Sequence, residues 1–521
     1  MVPRVRPSFN TAGPCNPVEH YMLPPGDRLG RVMELIEDGK YFTLHAGRQT
    51  GKTTSAQWLV DHLNGEGRFH ALWVDLQTVS AQDDLGAAFK TVLGELDLAV
   101  QRVLPELGPP SEHARWLGDP ASAMLRYLMD LAHRSARPLV VLFDEADRLV
   151  GPVMVSFLTQ LRRGYIDRRT TPFPRSVALV GMRQVRDYVL TQDERGALQW
   201  LGTASPFNVS AEAATLGPFS REEVGTLLEQ HTTTTGQRFE PEAVDRIYDL
   251  SQGHPWLVNA LADRIVDRDV RDRSVPISAA HVDAAKETLI LERRTHIDSL
   301  VARLRDPRVR RILDPMLAGE RVSGDALDDD FSYVLGLGLL RFAGGRYEVA
   351  NPIYREVIPR ALTFIDQAQI PNQPAAYVRP DGSLDMPKLM ADWQVFWRID
   401  GHLAAEGFSY RESGPHLMMM AFLQRIVNGG GRVQREYGLG RRALDLLVEW
   451  GERRHAIEIK VRRDTETEDE ALRQVADYLD RLGLDEGWLV MFDLRKTLPW
   501  SARLTTRTVP VDGRQIHLVG C

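Results

Sequence analysis

The sequence has very little cysteine and no long apolar run. Its two cysteines, Cys15 and Cys521, stand near opposite ends of a 521-residue chain. That spacing excludes a disulfide framework or a Cys-ligated metal site and suits a reducing compartment. No apolar run reaches the roughly 18 residues that a membrane-spanning helix needs, and residues 1–6 lack the apolar core of a secretory signal. We therefore expect a cytoplasmic protein without a membrane partner.

A strong positive charge is also missing. The formal net charge is −7, which argues against a protein coated in nucleic acid but leaves room for a local basic surface. Hydrophobic residues make up 43% and charged residues 26% of the chain, as in ordinary globular proteins. At this length we expect several domains rather than one core.

One stretch combines an apolar segment, a Gly-rich loop and a helical pattern. Residues 41–44 predict a short buried strand, and residues 53–63 have helical spacing. The loop between them is typical of a phosphate-binding loop, although its first Gly position holds Ala46. We predict that its residues bind ATP, with Lys52 on the β- and γ-phosphates and Thr53 on Mg²⁺. The predicted nucleotide-binding residues of the loop are Gly47, Arg48, Gln49, Thr50, Gly51, Lys52, Thr53 and Thr54.

A second apolar strand, residues 138–143, ends in two carboxylates, Asp144 and Glu145. Ligands bind at the carboxyl ends of parallel strands. We therefore expect Asp144 to hold Mg²⁺ through water and Glu145 to polarise the attacking water. After a further strand, Arg183 is the candidate sensor of the γ-phosphate. Four arginines of the preceding link are candidate fingers for a neighbouring subunit, or simply solvated side chains: Arg162, Arg163, Arg168 and Arg169.

These motifs resemble an AAA-type P-loop ATPase of the additional-strand class, which implies an α/β fold with a parallel sheet and a homo-oligomer. A helical lid would follow from residue 216. Its Gly253-His254-Pro255 resembles a motif near the nucleotide in signalling and origin-recognition ATPases, and Pro255 is then a nucleotide-binding candidate. The same residues also suit a helix C-cap followed by Pro. The apolar stretch 19–24 either closes over adenine or packs onto the core.

Residues 296–362 predict short helices and a Gly-rich hairpin, which is a winged-helix pattern. Its arginines either meet DNA phosphates, form a solvated face or dock a partner: Arg303, Arg305, Arg308, Arg310 and Arg311. The Pro-rich residues 367–387 then predict a semi-rigid linker.

Two strands beyond the linker, residues 443–450 and 456–461, predict a hairpin with a second chemical site. Glu458 and Lys460 share one face because residues two apart in a strand point the same way, and Asp445 comes from the paired strand. Two carboxylates suit Mg²⁺ or Mn²⁺, and a lysine can orient or deprotonate a water, which is the chemistry of phosphodiester hydrolysis. An acid-x-Lys pattern is also common on a solvated strand face.

This arrangement resembles the PD-(D/E)XK nucleases, which implies an αβββαβ core. The usual Pro before the first Asp is Leu444 here. Gln474 and Tyr478 match the helix motif that flanks this site in many members, with Gln474 as a catalytic candidate, and Glu412 fits their upstream acid as a metal ligand. Residues 425–463 contain ten Arg or Lys against five Asp or Glu, which favours DNA as a partner.

The predicted organisation is a P-loop ATPase core (1–215), a helical lid (216–295), a winged helix (296–365), a linker (366–390) and a PD-(D/E)XK-like nuclease domain (391–521). The predicted function is ATP hydrolysis that couples to or gates metal-dependent DNA cleavage, in bacterial defence or DNA processing by resemblance. The alternative is a nucleotide-switched DNA-binding regulator whose nuclease-like domain only binds.

Overall fold

The structure is a computed structural model. It describes residues 7–79, 82, 84–181, 189–192, 198–200, 210–292, 300, 302–304, 306–317, 329–343, 345–362, 377–401, 415, 418–420, 422–423, 431–439, 442–462, 466–493 and 498–521. Among the described helices, none combines the length and the apolar character that crossing a bilayer requires. Both cysteines are free thiols.

The helices and strands are numbered in chain order. The helices are α1 (Gly30–Glu37), α2 (Lys52–Glu66), α3 (Leu85–Val103), α4 (His113–Trp116), α5 (Pro120–Arg134), α6 (Gly151–Asp167), α7 (Arg221–Thr235), α8 (Pro241–Ser251), α9 (Pro255–Arg264), α10 (Ala279–Leu291), α11 (Pro307–Leu317), α12 (Asp329–Gly336), α13 (Pro352–Leu362), α14 (Met386–Phe396), α15 (Glu466–Leu482) and α16 (Trp500–Arg503). The strands are β1 (Tyr41–His45), β2 (His70–Asp75), β3 (Leu139–Asp144), β4 (Ser176–Gly181), β5 (Val189–Gln192), β6 (Leu198–Trp200), β7 (Ser210–Thr215), β8 (Leu340–Ala343), β9 (Arg346–Val349), β10 (Gly431–Leu439), β11 (Arg442–Trp450), β12 (Arg453–Val461), β13 (Glu486–Phe492), β14 (Thr506–Val511) and β15 (Arg514–Gly520).

The chain divides into two compact units. The first consists of Met1–Asp298 and Ala326–Tyr354, and the second of Ser299–Asp325 and Arg355–Cys521. The helix α11 therefore belongs to the second unit, while the β8–β9 hairpin belongs to the first. Because the two pieces fall in different units, the winged helix at 296–365 stays a prediction.

The first unit is built on a parallel sheet with the order β2-β3-β4-β1-β7. Strand β3 alternates its side chains between two cores: Val141 and Phe143 pack on one face of the sheet, and Val140 and Leu142 on the other. A strand that is buried on both faces must be apolar throughout, which is why its sequence is a continuous apolar run. Strand β4 lies between β1 and β3.

The helices α7 to α10 follow the sheet, in the predicted lid region. Ser220 caps α7 through a reciprocal capping box with Glu223, which Ser-x-x-Glu spacing favours. Helix α8 ends at Ser251, and Gly253 has a φ of +73°. A Cβ on Gly253 would lie 1.9 Å from the carbonyl oxygen of Phe219, whose own N–H donates to the Gly253 carbonyl at 2.8 Å. The turn before Pro255 therefore requires glycine.

The substitution Gly253→Ala is expected to destabilise the first unit by at least about 3 kcal/mol, because the methyl group both clashes and occupies a left-handed conformation. The matched control is Gly236→Ala. Gly236 has a φ of +81°, and no described atom lies within 4 Å of a Cβ placed there, so only the conformational cost of about 1 kcal/mol applies. Chemical denaturation compares the two, and equal losses of stability would contradict the packing argument.

The second unit contains a separate mixed sheet with the order β10-β11-β12-β13-β15-β14. The strands β10, β11 and β12 form an antiparallel meander, and β13 lies parallel to β12 and β15. Leu472, Val475 and Leu479 of α15 pack on one face of this sheet. Trp393 of α14 meets Phe492 of β13 with ring centroids 6.1 Å apart, which places α14 on the sheet as well.

One predicted boundary differs from the structure. Helix α14 begins at Met386, ends at Phe396 and is followed by a π-helical turn, Trp397–Gly401. The helix starts there because the Asp385 side chain accepts from the Lys388 N–H, with Pro387 in the first turn. This helix overlaps the predicted linker 366–390, whose proline content was interpreted as linker composition.

Candidate functional site

The phosphate loop joins the end of β1 to the start of α2, at the same edge of the sheet as Asp144. Lys52 is only 7% exposed. Its Nζ donates to the carbonyl oxygens of Ala46 at 2.9 Å and Gly47 at 2.8 Å. Burial lowers the pKa of Lys52, and the charges of Glu145, Asp144 and Asp147 oppose that effect. A buried ammonium held by neutral carbonyls fits an anionic phosphate as its partner.

The side chain of Asp144 is joined to the first turn of α2. The Thr53 hydroxyl donates to its Oδ2 at 2.8 Å, and Trp73 Nε1 donates to the same oxygen at 3.1 Å. Burial raises the pKa of Asp144 against these hydrogen bonds. A hydroxyl and a carboxylate in contact form an oxygen donor set that suits Mg²⁺. Trp73 was not identified from the sequence, since it stands within an ordinary apolar strand pattern.

Glu145 follows Asp144 with a φ of +53°, a conformation that is uncommon for residues other than Gly and worth attention near a candidate active site. Its carboxylate pairs with Arg148 Nε at 3.0 Å. Arg148 also lines the adjacent cavity, although the sequence analysis did not single it out. The signal was present as an Arg three residues after the acid, but such spacing is common on any turn.

A cavity of about 310 Å³ lies against the phosphate loop. Besides the loop it contacts the N-terminal residues Asn10–Cys15, the motif residue Pro255 and the side chain of Arg148. The lining residues are Asn10, Thr11, Ala12, Gly13, Pro14, Cys15, Arg48, Gln49, Gly51, Lys52, Thr53, Thr54, Gln77, Glu145, Arg148, Pro255, Trp256 and Asn259. The predicted loop residues Arg48, Gln49 and Lys52 to Thr54 thus share one space with Glu145 and Pro255.

The N-terminal part of this cavity wall, residues 10–15, was not predicted from the sequence. The Cys15 N–H donates to Thr54 Oγ1 at 3.0 Å, and Trp256 Nε1 donates to the Thr11 carbonyl at 2.9 Å. Long-range contacts of this kind leave no local pattern. By contrast, Tyr21 of the stretch 19–24 is buried against Phe9, with ring centroids 4.9 Å apart. Of the two interpretations of that stretch, the structure favours packing.

Arg183 lies outside the described residues. Of the four candidate fingers, Arg168 is engaged within its own chain: its guanidinium donates to the Gly39 carbonyl at 2.9 Å and lies 4.0 Å from the centroid of the Tyr165 ring. Arg163 pairs with Asp167 at 2.6 Å. These contacts argue against Arg168 as a residue that reaches a neighbouring subunit.

The second site lies on the β11–β12 hairpin. The Ile459 N–H donates to Asp445 Oδ2 at 2.7 Å, and the Asp445 N–H donates to Glu458 Oε2 at 3.3 Å. Lys460 Nζ is 2.7 Å from Glu458 Oε1. The side chain of Glu458 is 1% exposed and that of Lys460 is 30% exposed. The three predicted residues therefore meet at one point, with the acid buried and the lysine open to solvent on one side.

The electrostatics of this cluster fit a cation. Burial and the charge of Asp445 raise the pKa of Glu458 to about 7. Although burial lowers it, the carboxylates of Glu458 and Asp445 hold the pKa of Lys460 above its ordinary value. Glu458 is buried and Asp445 is partly buried, so two carboxylates share one lysine, and a divalent cation would relieve the repulsion between them.

Helix α15 supplies the polar groups over the hairpin. Gln474 Nε2 donates to the Tyr478 hydroxyl at 2.6 Å, and the Tyr478 hydroxyl lies within electrostatic reach of Glu458, Lys460 and Asp445. Glu412 lies outside the described residues. Within the described ranges, no group of three or more His, Cys, Asp or Glu side chains is placed to hold a metal, so the donor set here is the pair Asp445 and Glu458.

Comparison with known proteins supports the prediction of an ATPase domain in the first unit. Residues 36–189 match the family described as AAA domain. This match, the sheet order and the phosphate loop define an AAA-type P-loop ATPase domain, which confirms that part of the prediction, and ATP binding is expected of it. No curated protein matches the chain.

Several solved structures align with about two thirds of the chain. A Walker-type ATPase of Pyrococcus abyssi is 16% identical, with 67% of this chain and 99% of that chain covered and a TM-score of 0.47. The RuvB Holliday junction branch migration motor of Thermotoga maritima is 16% identical, with 64% and 94% covered and a TM-score of 0.33. Cdc6p of Pyrobaculum aerophilum is 13% identical, with 65% and 93% covered and a TM-score of 0.34. These scores are too low to establish a shared fold over the aligned length.

Proposed function

We propose that this protein hydrolyses ATP and uses that turnover to control metal-dependent DNA cleavage by its C-terminal unit. The single observation that supports DNA cleavage is the cluster of Asp445, Glu458 and Lys460. In it, the Glu458 carboxylate is buried and lies 2.7 Å from Lys460 Nζ. A solvated strand face would leave Glu458 exposed, whereas an acid buried beside another acid lowers the stability of the fold and is typical of functional sites.

In the ATPase site, Lys52 binds the phosphates, Thr53 and Asp144 would hold Mg²⁺, and Glu145 orients the attacking water. When bound, Mg²⁺ neutralises charge that builds up on the phosphates. Arg148 keeps the Glu145 carboxylate at the wall of the cavity. The remaining loop residues donate backbone N–H groups to the nucleotide, and Pro255 closes the cavity from the lid side.

In the cleavage site, Asp445 and Glu458 would hold Mg²⁺ or Mn²⁺, which would supply positive charge at the scissile phosphate. Lys460 orients a water through its ammonium. The hydrogen bond between Gln474 and Tyr478 positions the polar side chains of α15 that face the hairpin. The proposed substrate class is DNA, because the strand that carries the acid also carries basic residues: Arg453 and Arg454 begin β12, and Arg462 follows its end. The predicted ligand Glu412 belongs to this proposal through resemblance alone.

Homo-oligomerisation is part of the proposal. In ATPases that use an arginine finger, a neighbouring subunit supplies the residue that completes the site. The loss of ATPase activity on replacing Arg162 or Arg169, with nucleotide binding kept, would support it. Retained activity after replacement of all four candidates, Arg162, Arg163, Arg168 and Arg169, would contradict it.

The proposal is tested by incubating supercoiled plasmid and linear DNA with the full chain in Mg²⁺ or Mn²⁺, with and without ATP. We expect cleavage that requires the metal, stops with EDTA and changes in rate with ATP. ATP hydrolysis without cleavage of DNA or RNA under any nucleotide condition would contradict the nuclease assignment. That result would favour the alternative, a nucleotide-switched DNA-binding regulator.

A further inference from the structure

A tight turn from a distant part of the chain rests on the phosphate loop. The turn is Leu337-Gly338, which connects α12 to β8 within the first unit. A Cβ placed on Gly47 would lie 2.9 Å from the Leu337 carbonyl oxygen and 3.4 Å from Gly338 Cα. Leu337 is buried. Position 47 therefore requires glycine because the backbone of the turn occupies the space that a side chain would need. This requirement is independent of phosphate binding.

Two further contacts fasten this segment around the nucleotide site. Arg341 of β8 donates to Glu348 of β9 at 2.8 Å and to the Gln252 side chain, directly before the Gly253-His254-Pro255 motif. Tyr354 packs edge-on against the His254 ring, with centroids 6.0 Å apart. The His254 ring in turn hydrogen-bonds with the backbone of Arg48, and its burial lowers its pKa to about 4. His254 is therefore a neutral bridge between the segment and the loop.

The turn supports the loop without occupying the nucleotide space. The cavity wall includes Arg48, Gln49 and Gly51, whereas Gly47 and the turn are outside the described lining. The turn thus contacts the loop from behind. Such a contact stabilises the loop conformation rather than competing with a ligand.

Segment 326–354 lies, in chain order, between the two pieces of the second unit. Ala326–Tyr354 belongs to the first unit, but the chain on both sides of it, Ser299–Asp325 and Arg355–Cys521, belongs to the second. Both ends of the segment therefore continue into the unit that carries Asp445 and Glu458.

We propose that the Leu337-Gly338 turn is a positioning element of the ATP site, and that segment 326–354 transmits nucleotide occupancy to the C-terminal unit. The inference rests on the proposed ATPase function and names its regulation. By linkage, if docking of the segment favours nucleotide binding, nucleotide binding must favour docking by the same factor. The ATP-dependent gating of DNA cleavage then acts through this segment.

The test compares Gly338→Ala with Gly345→Ala in the full chain. Both glycines have left-handed φ values, +74° and +78°, so the two variants carry the same conformational cost. At Gly338 the new Cβ would lie 3.3 Å from Gly47 Cα, whereas at Gly345 no described atom lies within 4 Å. We expect Gly338→Ala to bind a non-hydrolysable ATP analogue with Mg²⁺ at least about fivefold more weakly than wild type. Gly345→Ala should bind like wild type.

Hydrogen exchange on the wild type provides a second readout that does not depend on either variant folding well. The ATP analogue should slow amide exchange in α12 and the β8–β9 hairpin, and Gly338→Ala should reduce that protection. The inference is overturned if the wild type binds and hydrolyses ATP while exchange in residues 329–349 is unchanged, or if both glycine variants bind equally. A wild type that neither binds nor hydrolyses ATP would instead overturn the proposed function itself.

Discussion

Replacing Asp445 by Asn is expected to lower the rate of DNA cleavage by at least about 100-fold while leaving DNA binding in place. The amide keeps the shape of the side chain and can still accept from the Ile459 N–H, a bond that is 2.7 Å long. It loses the negative charge that, with Glu458, holds the cation. The measurement is the rate of plasmid nicking in saturating Mg²⁺, with DNA affinity measured separately in EDTA.

The matched control for this variant is Glu452→Gln. Glu452 is an exposed acid in the turn of the same hairpin, so Glu452→Gln removes one negative charge from the same element without touching Asp445 or Glu458. Cleavage by Glu452→Gln should match wild type. If both variants cut equally well, Asp445 and Glu458 are a structural feature of the hairpin and the nuclease assignment fails.

Replacing Glu145 by Gln is expected to lower ATP hydrolysis by at least about 100-fold without preventing ATP binding. Glutamine has the same size but cannot polarise a water as a carboxylate does. The ion pair with Arg148, 3.0 Å long, is lost as well, but neither residue binds the phosphates in our account. Steady-state phosphate release and equilibrium binding of labelled ATP separate the two effects.

Glu37→Gln serves as the control for Glu145→Gln. Glu37 is an exposed acid at the end of α1 and pairs with Arg68 on the surface, where exposed pairs contribute little. It should leave hydrolysis unchanged. Turnover by Glu145→Gln at the wild-type rate would mean that another group activates the water, and Asp147 would then be the first alternative to replace.

The ATPase core was accessible from the sequence because its signals are local. A strand buried on both faces must be apolar throughout, so residues 138–143 identified β3 and its terminal carboxylates without knowledge of neighbours. The phosphate loop depends on glycine and lysine at fixed offsets within one turn. The hairpin with Asp445, Glu458 and Lys460 was likewise predictable, because alternation in a strand fixes which residues share a face.

The contacts that the sequence did not predict all join distant parts of the chain. Asn10 to Cys15 form a wall of the ATP cavity through bonds to Thr54 and Trp256, and nothing in their composition distinguishes them from a loop. The approach of Leu337 to Gly47 likewise has no periodic signal. Gly47 was attributed to phosphate binding, since a glycine in a phosphate loop already has an explanation.

The most direct test of the central claim follows ATP hydrolysis and plasmid cleavage together in one reaction, for the wild type, Asp445→Asn and Glu145→Gln. Two coupled active sites predict that Asp445→Asn still hydrolyses ATP but does not cut, while Glu145→Gln loses hydrolysis, keeps ATP bound and cuts at the rate that ATP occupancy sets, which differs from the wild-type rate during turnover. Cleavage that persists unchanged in Asp445→Asn, or that is indifferent to Glu145 and to ATP, would contradict the account.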